Sequence, residues 1–268
     1  MGTTVDKLNR LINTKEGIRQ EINRAYETEE ISNSDTFNSY IQKLEEHPFY
    51  LKKLVEGTIE SIKLSNATSI GDSAFQACSN LTSVFFPEAT SIGQGVFQSC
   101  SKLTSVSFPN ATSIGKSAFE ACRGLTEVSF PVATSIGKYA FQVCSSLTSV
   151  SFPVATSIGQ YAFDSCSSLI SVSFPKATSI DYKAFQKCSS LTEVSFPVAT
   201  SIGQYAFDSC SSLTTIYVGT ESDTVCTLSS RDAIPSSVTD IYVPSSLVNS
   251  YKSATNWSTF ASKIKATP

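Results

Sequence analysis

Cysteine is the residue type in this chain best placed to do chemistry. Seven of the eight recur at an unvarying step of 22, as Cys78, Cys100, Cys122, Cys144, Cys166, Cys188 and Cys210. A column of thiols could hold a soft metal or close disulfides. Strands stacked one above another lie about 4.8 Å apart, which leaves parallel Cβ atoms beyond the usual disulfide span of about 3.5–4.5 Å. No histidine accompanies the column, so zinc chemistry lacks its common partner. The recurrent Phe-x-x-Cys context reads as a buried thiol ladder, with disulfides and a metal site as the alternatives. Cys226 stands off the column, either buried in a terminal cap or free to react. The single histidine, His47, sits in Glu-Glu-His-Pro and reads as solvated. Glu127 and Glu193 share one outward strand position but lie three coils apart, about 14 Å, too far for a glycosidase pair. There is no Gly-x-Ser-x-Gly, phosphate loop or calcium loop, and the chain is expected to be neither an enzyme nor a cofactor protein. Asn66, Asn80, Asn110 and Asn256 begin Asn-x-Ser/Thr acceptor patterns, which a chain rich in Asn, Ser and Thr produces by chance.

Residues that vary between repeats offer a second kind of site. After the recurrent glycine stand Lys138-Tyr139, Gln160-Tyr161, Tyr182-Lys183 and Gln204-Tyr205. Four tyrosines therefore fall on one edge of successive coils. Tyrosine supplies large contact area at low entropic cost and carries a polar tip. Tyr139, Tyr161, Tyr182 and Tyr205, with Lys138 and Lys183, are the candidate partner-binding residues; the alternative is that the rings only help to pack the turn. Residues 151–169 and 195–213 are the same string, two coils apart. That spacing suits repeated weak contacts to an extended or multivalent partner.

The elements that must position these residues come from one repeated sentence, roughly Leu-Thr-x-Val-Ser-Phe-Pro-x-Ala-Thr-Ser-Ile-Gly-x-x-Ala-Phe-x-x-Cys-x-x. Self-similarity of this length signals a solenoid whose units contact only their neighbours. Leu81, Val84 and Phe86 and their equivalents alternate as the inward side of a short strand. Pro87, Pro109 and their successors end it. Ala74, Phe75, Ala89 and Ile92 form a second buried row. Gly71, Gly93, Gly115, Gly137, Gly159 and Gly203 mark a turn where positive φ is expected, with Asp181 replacing the glycine once. The predicted fold is an α/β repeat solenoid with seven 22-residue coils across 58–218. Residues 1–57 carry helical patterning (Val5, Leu8, Leu11, Ile12, then Phe37, Tyr40, Ile41, Leu44) and are expected to form a helical N-terminal cap or attachment segment. Residues 219–268 read as a C-terminal cap, with a degenerate coil at Val238, Ile241 and Val243 and two short capped helices in which Trp257 and Phe260 cover the core.

Bulk properties exclude several partners. The net charge of −3 and a pI near 5.3 leave no basic footprint for nucleic acid. No apolar run approaches the roughly 18 residues that span a membrane, and Met1-Gly-Thr-Thr-Val-Asp-Lys has no signal-peptide character. Two expectations follow: the sequence is the mature form of a secreted protein, or the protein leaves its cell without such a signal.

The motif Leu-x-x-Val-x-Phe-Pro followed by Ser-Ile-Gly-x-x-Ala-Phe-x-x-Cys, clearest in Leu147 to Cys166 and Leu191 to Cys210, resembles the BspA-like, or Treponema-type, leucine-rich repeats of bacterial surface proteins. Two departures accompany the likeness: the span from Pro to Ser-Ile-Gly is one residue shorter than the commonest version, and Ala89 stands where many leucine-rich repeats place asparagine. Lys7 to Gln20 with Asp35 to Ile41 are similar to N-terminal helical segments of tail-associated proteins of phages and prophages of gut bacteria, and Ile241 to Ser258 resembles closing segments shared by such phage proteins and bacterial surface repeats. These resemblances imply a non-catalytic recognition or adhesion protein, phage tail-associated or cell-surface, that binds a host surface protein or glycan. Residues 1–57 would then meet other virion or tail proteins. The alternative is a structural spacer with the helical N-terminus as its docking module.

Overall fold

In the computed structural model of this protein, the described residues are 60–63 and 67–268. The expected helical segment 1–57, His47 and the acceptor Asn66 lie outside them.

The described residues wind into a parallel β-solenoid of about nine turns. Each coil lays down a front strand: Ser61–Lys63, Ser83–Phe85, Ser105–Ser107, Glu127–Ser129, Ser149–Ser151, Ser171–Ser173, Glu193–Phe196, Thr215–Val218, Asp240–Val243 and finally Ile264–Ala266. Eight coils also carry a two-residue back strand, from Ser69–Ile70 to Thr227–Leu228. The back strands form one continuous eight-stranded ladder, whereas the front ladder divides after Ser105–Ser107 and again after Ser171–Ser173. At those two places Val106 and Val172 are only partly buried, and the following front strands begin with Glu127 and Glu193.

The sequence alternation explains the strands. Val84 is buried between the flanking Ser83 and Phe85, and Leu81 and Phe86 complete the inward set. Two threonine columns brace the corners by donating to the preceding coil: Thr104 Oγ1 to Thr82 O at 3.0 Å on one, Thr112 Oγ1 to Thr90 O at 3.0 Å on the other. The first column is interrupted by Ile170, which is 53% exposed. Inside, two phenylalanine columns interleave. Phe141 stacks on Phe119 and Phe163 with centroids 5.2 Å away on each side, and tilts against Phe130 and Phe152 at 6.1 and 6.0 Å.

The structure corrects the sequence reading in four respects. First, among the described residues the return side is not helical, so the solenoid is β rather than α/β. Each turn contains two residues with left-handed backbone, as at Tyr139 (φ 61) and Val143 (φ 61). N–H groups of the turns bond to the adjacent coil, as in Phe119 N–H to Ala140 O at 2.8 Å and Ala121 N–H to Gln142 O at 2.8 Å. Both features are incompatible with i→i−4 bonding. Second, the glycines of Ser-Ile-Gly do not need positive φ. A Cβ on Gly137 would stand 2.7 Å from the backbone of Gly115 and Ile114, so they serve close approach between coils.

Third, the coils number more than seven. The step from Thr215 to its partner Asp240 is 25 residues, so a stretched eighth coil keeps the strand alternation without the cysteine motif. A ninth begins at Asp240–Val243. Fourth, the C-terminal end is not a pair of capped helices. One α-helix, Val248–Ser253, and 3-10 turns at Ser245–Leu247 and Trp257–Phe260 lack side-chain caps, and the strand Ile264–Ala266 completes the closure by pairing with Ile241–Val243. Trp257 and Phe260 are buried, as their apolar bulk over the open core demands. No helix among the described residues is long and apolar enough to cross a membrane.

Candidate functional site

The thiol column is a packing feature. Cys100 to Cys210 are fully buried, and each Sγ–H donates to the carbonyl of a phenylalanine in the preceding coil, for example Cys144 to Phe119 O at 3.1 Å. Cys78, at the first coil, is half-buried. Burial pushes the Cys144 thiol up to about 12 and moves the others of the column in the same direction where a shift is resolved. A neutral thiol is a poor nucleophile and a poor ligand. Cys226 is buried too, and desolvation lifts it to about 12. No group of three or more His, Cys, Asp or Glu with metal-holding geometry occurs among the described residues. Glu127 and Glu193 stand outward on separate front sheets. The acceptor asparagines are engaged: Asn80 Oδ1 accepts from Lys102 Nζ (2.9 Å), Asn110 donates to Pro87 O (2.8 Å) and Asn256 to Leu228 O (2.7 Å).

The six residues singled out on the turn edge do come together. Tyr139 and Tyr161 stack with centroids 5.0 Å apart at 29°. Tyr161 meets Tyr182 edge-on at 5.3 Å, and Tyr182 meets Tyr205 edge-on at 6.0 Å. Lys183 Nζ lies 5.5, 5.2 and 5.5 Å from the ring centroids of Tyr161, Tyr182 and Tyr205, and Lys138 Nζ lies 4.8 Å from that of Tyr139. These are cation–π distances. All four rings are half-exposed.

Local backbone explains the arrangement. Tyr139, Tyr161, Lys183 and Tyr205 occupy the first left-handed position of their turns, with φ of 61, 56, 56 and 59. The corresponding residue in the second coil is Gly95, with φ 60. A left-handed L-residue costs roughly 1–2 kcal/mol, so large side chains here run against local preference. In the sixth coil the order is exchanged. Lys183 takes the left-handed place and Tyr182 the one before it, yet the Tyr182 ring still fills the gap between Tyr161 and Tyr205. The exchange keeps the aromatic run unbroken and sets an ammonium in its middle.

Charge states follow. Desolvation, then hydrogen bonding with Tyr182, pushes the Tyr161 phenol up. Desolvation pulls Lys183 down, but its hydrogen bond with Tyr182 and the attraction of the phenols outweigh this and raise it. The phenol stays neutral and the ammonium stays charged around neutral pH, which suits a contact surface rather than proton transfer.

Sequence reasoning missed two features. Beneath the tyrosines runs a column of amides and carboxylates: Gln98 Nε2 donates to Glu120 (3.0 Å), Gln142 to Asp164 (2.8 Å) and Gln186 to Asp208 (2.7 Å). The step of 22 and the amide–acid alternation were the available signal. On the front face, Tyr217 and Tyr242 stack at 4.8 Å and 16°. Tyr217 stands out as an aromatic residue in a serine row, but the 25-residue step hides its pairing with Tyr242.

Comparisons with known proteins agree with this architecture. The family described as BspA type leucine rich repeat region (6 copies) matches residues 12–126 and 112–231. Among solved structures, the T. pallidum leucine rich repeat protein TpLRR superposes with a TM-score of 0.54 at 28% identity, covering 57% of this chain and 77% of that one. A leucine-rich repeat protein from Bacteroides ovatus gives 0.49 at 20% identity, covering 78% of this chain and 66% of that one. A leucine rich cell surface protein from Faecalibacterium prausnitzii gives 0.37 at 21%, covering 78% and 59%. No curated protein matches the chain.

Proposed function

The chain belongs to the BspA-type leucine-rich repeat family, and from that premise we propose that it is a non-catalytic recognition or adhesion protein whose aromatic turn edge contacts a host surface protein or glycan. The observation that carries this reading is the unbroken, half-exposed aromatic run of the edge. Tyr139, Tyr161 and Tyr205 hold the left-handed place that Ser73, Gly95 and Ser117 fill in other coils with little or no side chain. The fold alone gains little from rings there, whereas a partner gains four half-exposed aromatics and two cations at repeat spacing. Such a strip suits many weak contacts summed along one partner. The resemblance of Lys7 to Gln20 and Asp35 to Ile41 to phage tail-associated proteins favours a tail component, with residues 1–57 docking to the rest of the particle, over a resident bacterial adhesin. The regular stacking of the phenylalanine columns favours a second reading, a rigid spacer.

The test is retention of labelled protein on whole cells of individual gut bacteria. The Tyr139→Ser, Tyr161→Ser, Tyr205→Ser variant should keep its circular dichroism spectrum yet lose at least tenfold in retention. If that variant binds like the parent while Ser149→Arg, Ser151→Arg and Ser173→Arg abolish retention, the contact surface is the strand face. If no cell type retains the parent, the spacer reading takes its place.

A further inference from the structure

The front face has a row of its own. At 22-residue steps its second outward position reads Phe85, then five serines from Ser107 to Ser195, then Tyr217. Phe85 is 39% exposed with Lys63 Nζ 5.5 Å from its centroid. At the other end Ser195, Tyr217 and Tyr242 are consecutive partners in the ladder. Tyr242 covers one face of Tyr217 at 4.8 Å, so the opposite face stands over Ser195, whose side chain is too small to fill it. The result is a shallow trough with a hydroxyl floor and an aromatic wall at each end. Six coil steps of about 4.8 Å make it about 29 Å long, two of them across the divisions of the front ladder after Ser107 and Ser173. The adjoining outward row carries Glu127 and Glu193, the latter in register with Thr215 and Asp240.

We propose that this trough binds a segment of a linear, neutral polysaccharide, with a terminal sugar ring packed on the open face of Tyr217. A pyranose ring is close in length to one coil step, so successive rings meet successive serine hydroxyls. Serine both donates and accepts hydrogen bonds, as sugar hydroxyls do. The carboxylates of Glu127 and Glu193 accept from hydroxyls and repel anionic polymers. An extended peptide would seek side-chain pockets for its alternate residues, whereas the serine row offers hydroxyls and no pockets. The site is separate from the turn-edge strip and does not rest on it.

The experiment is isothermal titration calorimetry of the full chain with three linear hexasaccharides: cellohexaose, maltohexaose and β-1,4-mannohexaose. At least one should bind. Tyr217→Ala and Ser195→Arg should each weaken that affinity at least tenfold, while Tyr161→Ser leaves it unchanged. Ser195 is exposed, so the arginine blocks the ring without entering the core and serves if Tyr217→Ala weakens the fold. Absence of heat with all three sugars at millimolar concentration would overturn the proposal, as would parent-like affinity in both variants. Either failure leaves the turn-edge reading to its own cell-retention test.

Discussion

Replacing Phe141 with alanine should cut the solenoid into two independently melting blocks. The ring is fully buried and touches four others: Phe119 and Phe163 at 5.2 Å, Phe130 at 6.1 Å and Phe152 at 6.0 Å. Truncating a buried phenylalanine costs about 3–5 kcal/mol, and more when the surroundings cannot collapse. Here they cannot, because the adjoining turns are pinned by Phe119 N–H to Ala140 O and Phe141 N–H to Ala162 O, both at 2.8 Å. The upper end of that range is expected. For a unit of this size it corresponds to a fall in Tm of roughly 10–20 °C. Coupling in a solenoid runs only between neighbours, so the damage should stay in the central coils. The single tryptophan, Trp257, is buried in the C-terminal closure and bonded to Cys226 O at 2.7 Å. It reports on coils far from the lesion, whereas far-ultraviolet circular dichroism reports on all. In urea the two signals should coincide for the parent and separate for Phe141→Ala, with the Trp257 midpoint close to that of the parent. Phe207→Ala, with ring contacts only to Phe185 and Phe196, should cost less. A Phe141→Ala variant whose two signals still coincide, or which loses under about 1 kcal/mol, would refute the neighbour-coupled zipper.

Two other perturbations probe the buried polar groups. Thiols lifted by desolvation to about 12 at Cys144 and Cys226 remain protonated in the fold where the unfolded chain would ionise near 9, so stability is complete below pH 9 and declines as pH rises toward 12. Tm measured from pH 8 to 11 should fall accordingly, less steeply in Cys144→Ala, and native protein at pH 8 should expose almost none of Cys100 to Cys210 to a thiol reagent. Tyr251→Phe removes the hydroxyl that accepts from Cys226 N–H at 2.9 Å. The stranded buried donor should cost about 1–3 kcal/mol, read by Trp257 fluorescence because Tyr251 meets that ring edge-on at 5.3 Å.

Positions held by nearest-neighbour stacking were legible in the sequence; positions held by backbone geometry were not. Leu81, Val84, Phe86 and Cys100 follow from alternation and period, and all four are buried. The glycine column was misread because glycine has two uses, positive φ and close approach, and a one-dimensional pattern does not separate them. The left-handed residues fell instead at Tyr139 and Val143 and their equivalents, types that give no hint of φ. That omission left the solenoid assigned to the α/β class. The degenerate coil expected at Val238, Ile241 and Val243 is present as the strand Asp240–Val243, but the count fell short because the 25-residue step from Thr215 breaks the period while the register survives in Thr215, Ile216 and Tyr217. The turn-edge cluster was legible because tyrosines at repeat spacing can only meet. The Tyr217–Tyr242 pair was not, since the same irregular step hid their adjacency.

These successes and failures share a cause that bears on function. A solenoid repeats its fold requirements in every coil, so any residue that the fold requires appears in nearly every coil. Specific recognition must therefore be written in the departures. The Tyr182-Lys183 exchange is such a departure: it breaks the sequence pattern and preserves a spatial one, the unbroken run from Tyr139 to Tyr205. Phe85 and Tyr217 depart in the same sense, ending a serine row that the fold would have continued equally well. Ile170, 53% exposed in a threonine column, is the one departure in that column. What separates a candidate site from drift in this architecture is whether the irregular residues of adjacent coils meet in space, and the turn edge and the ends of the front trough are the places where they do.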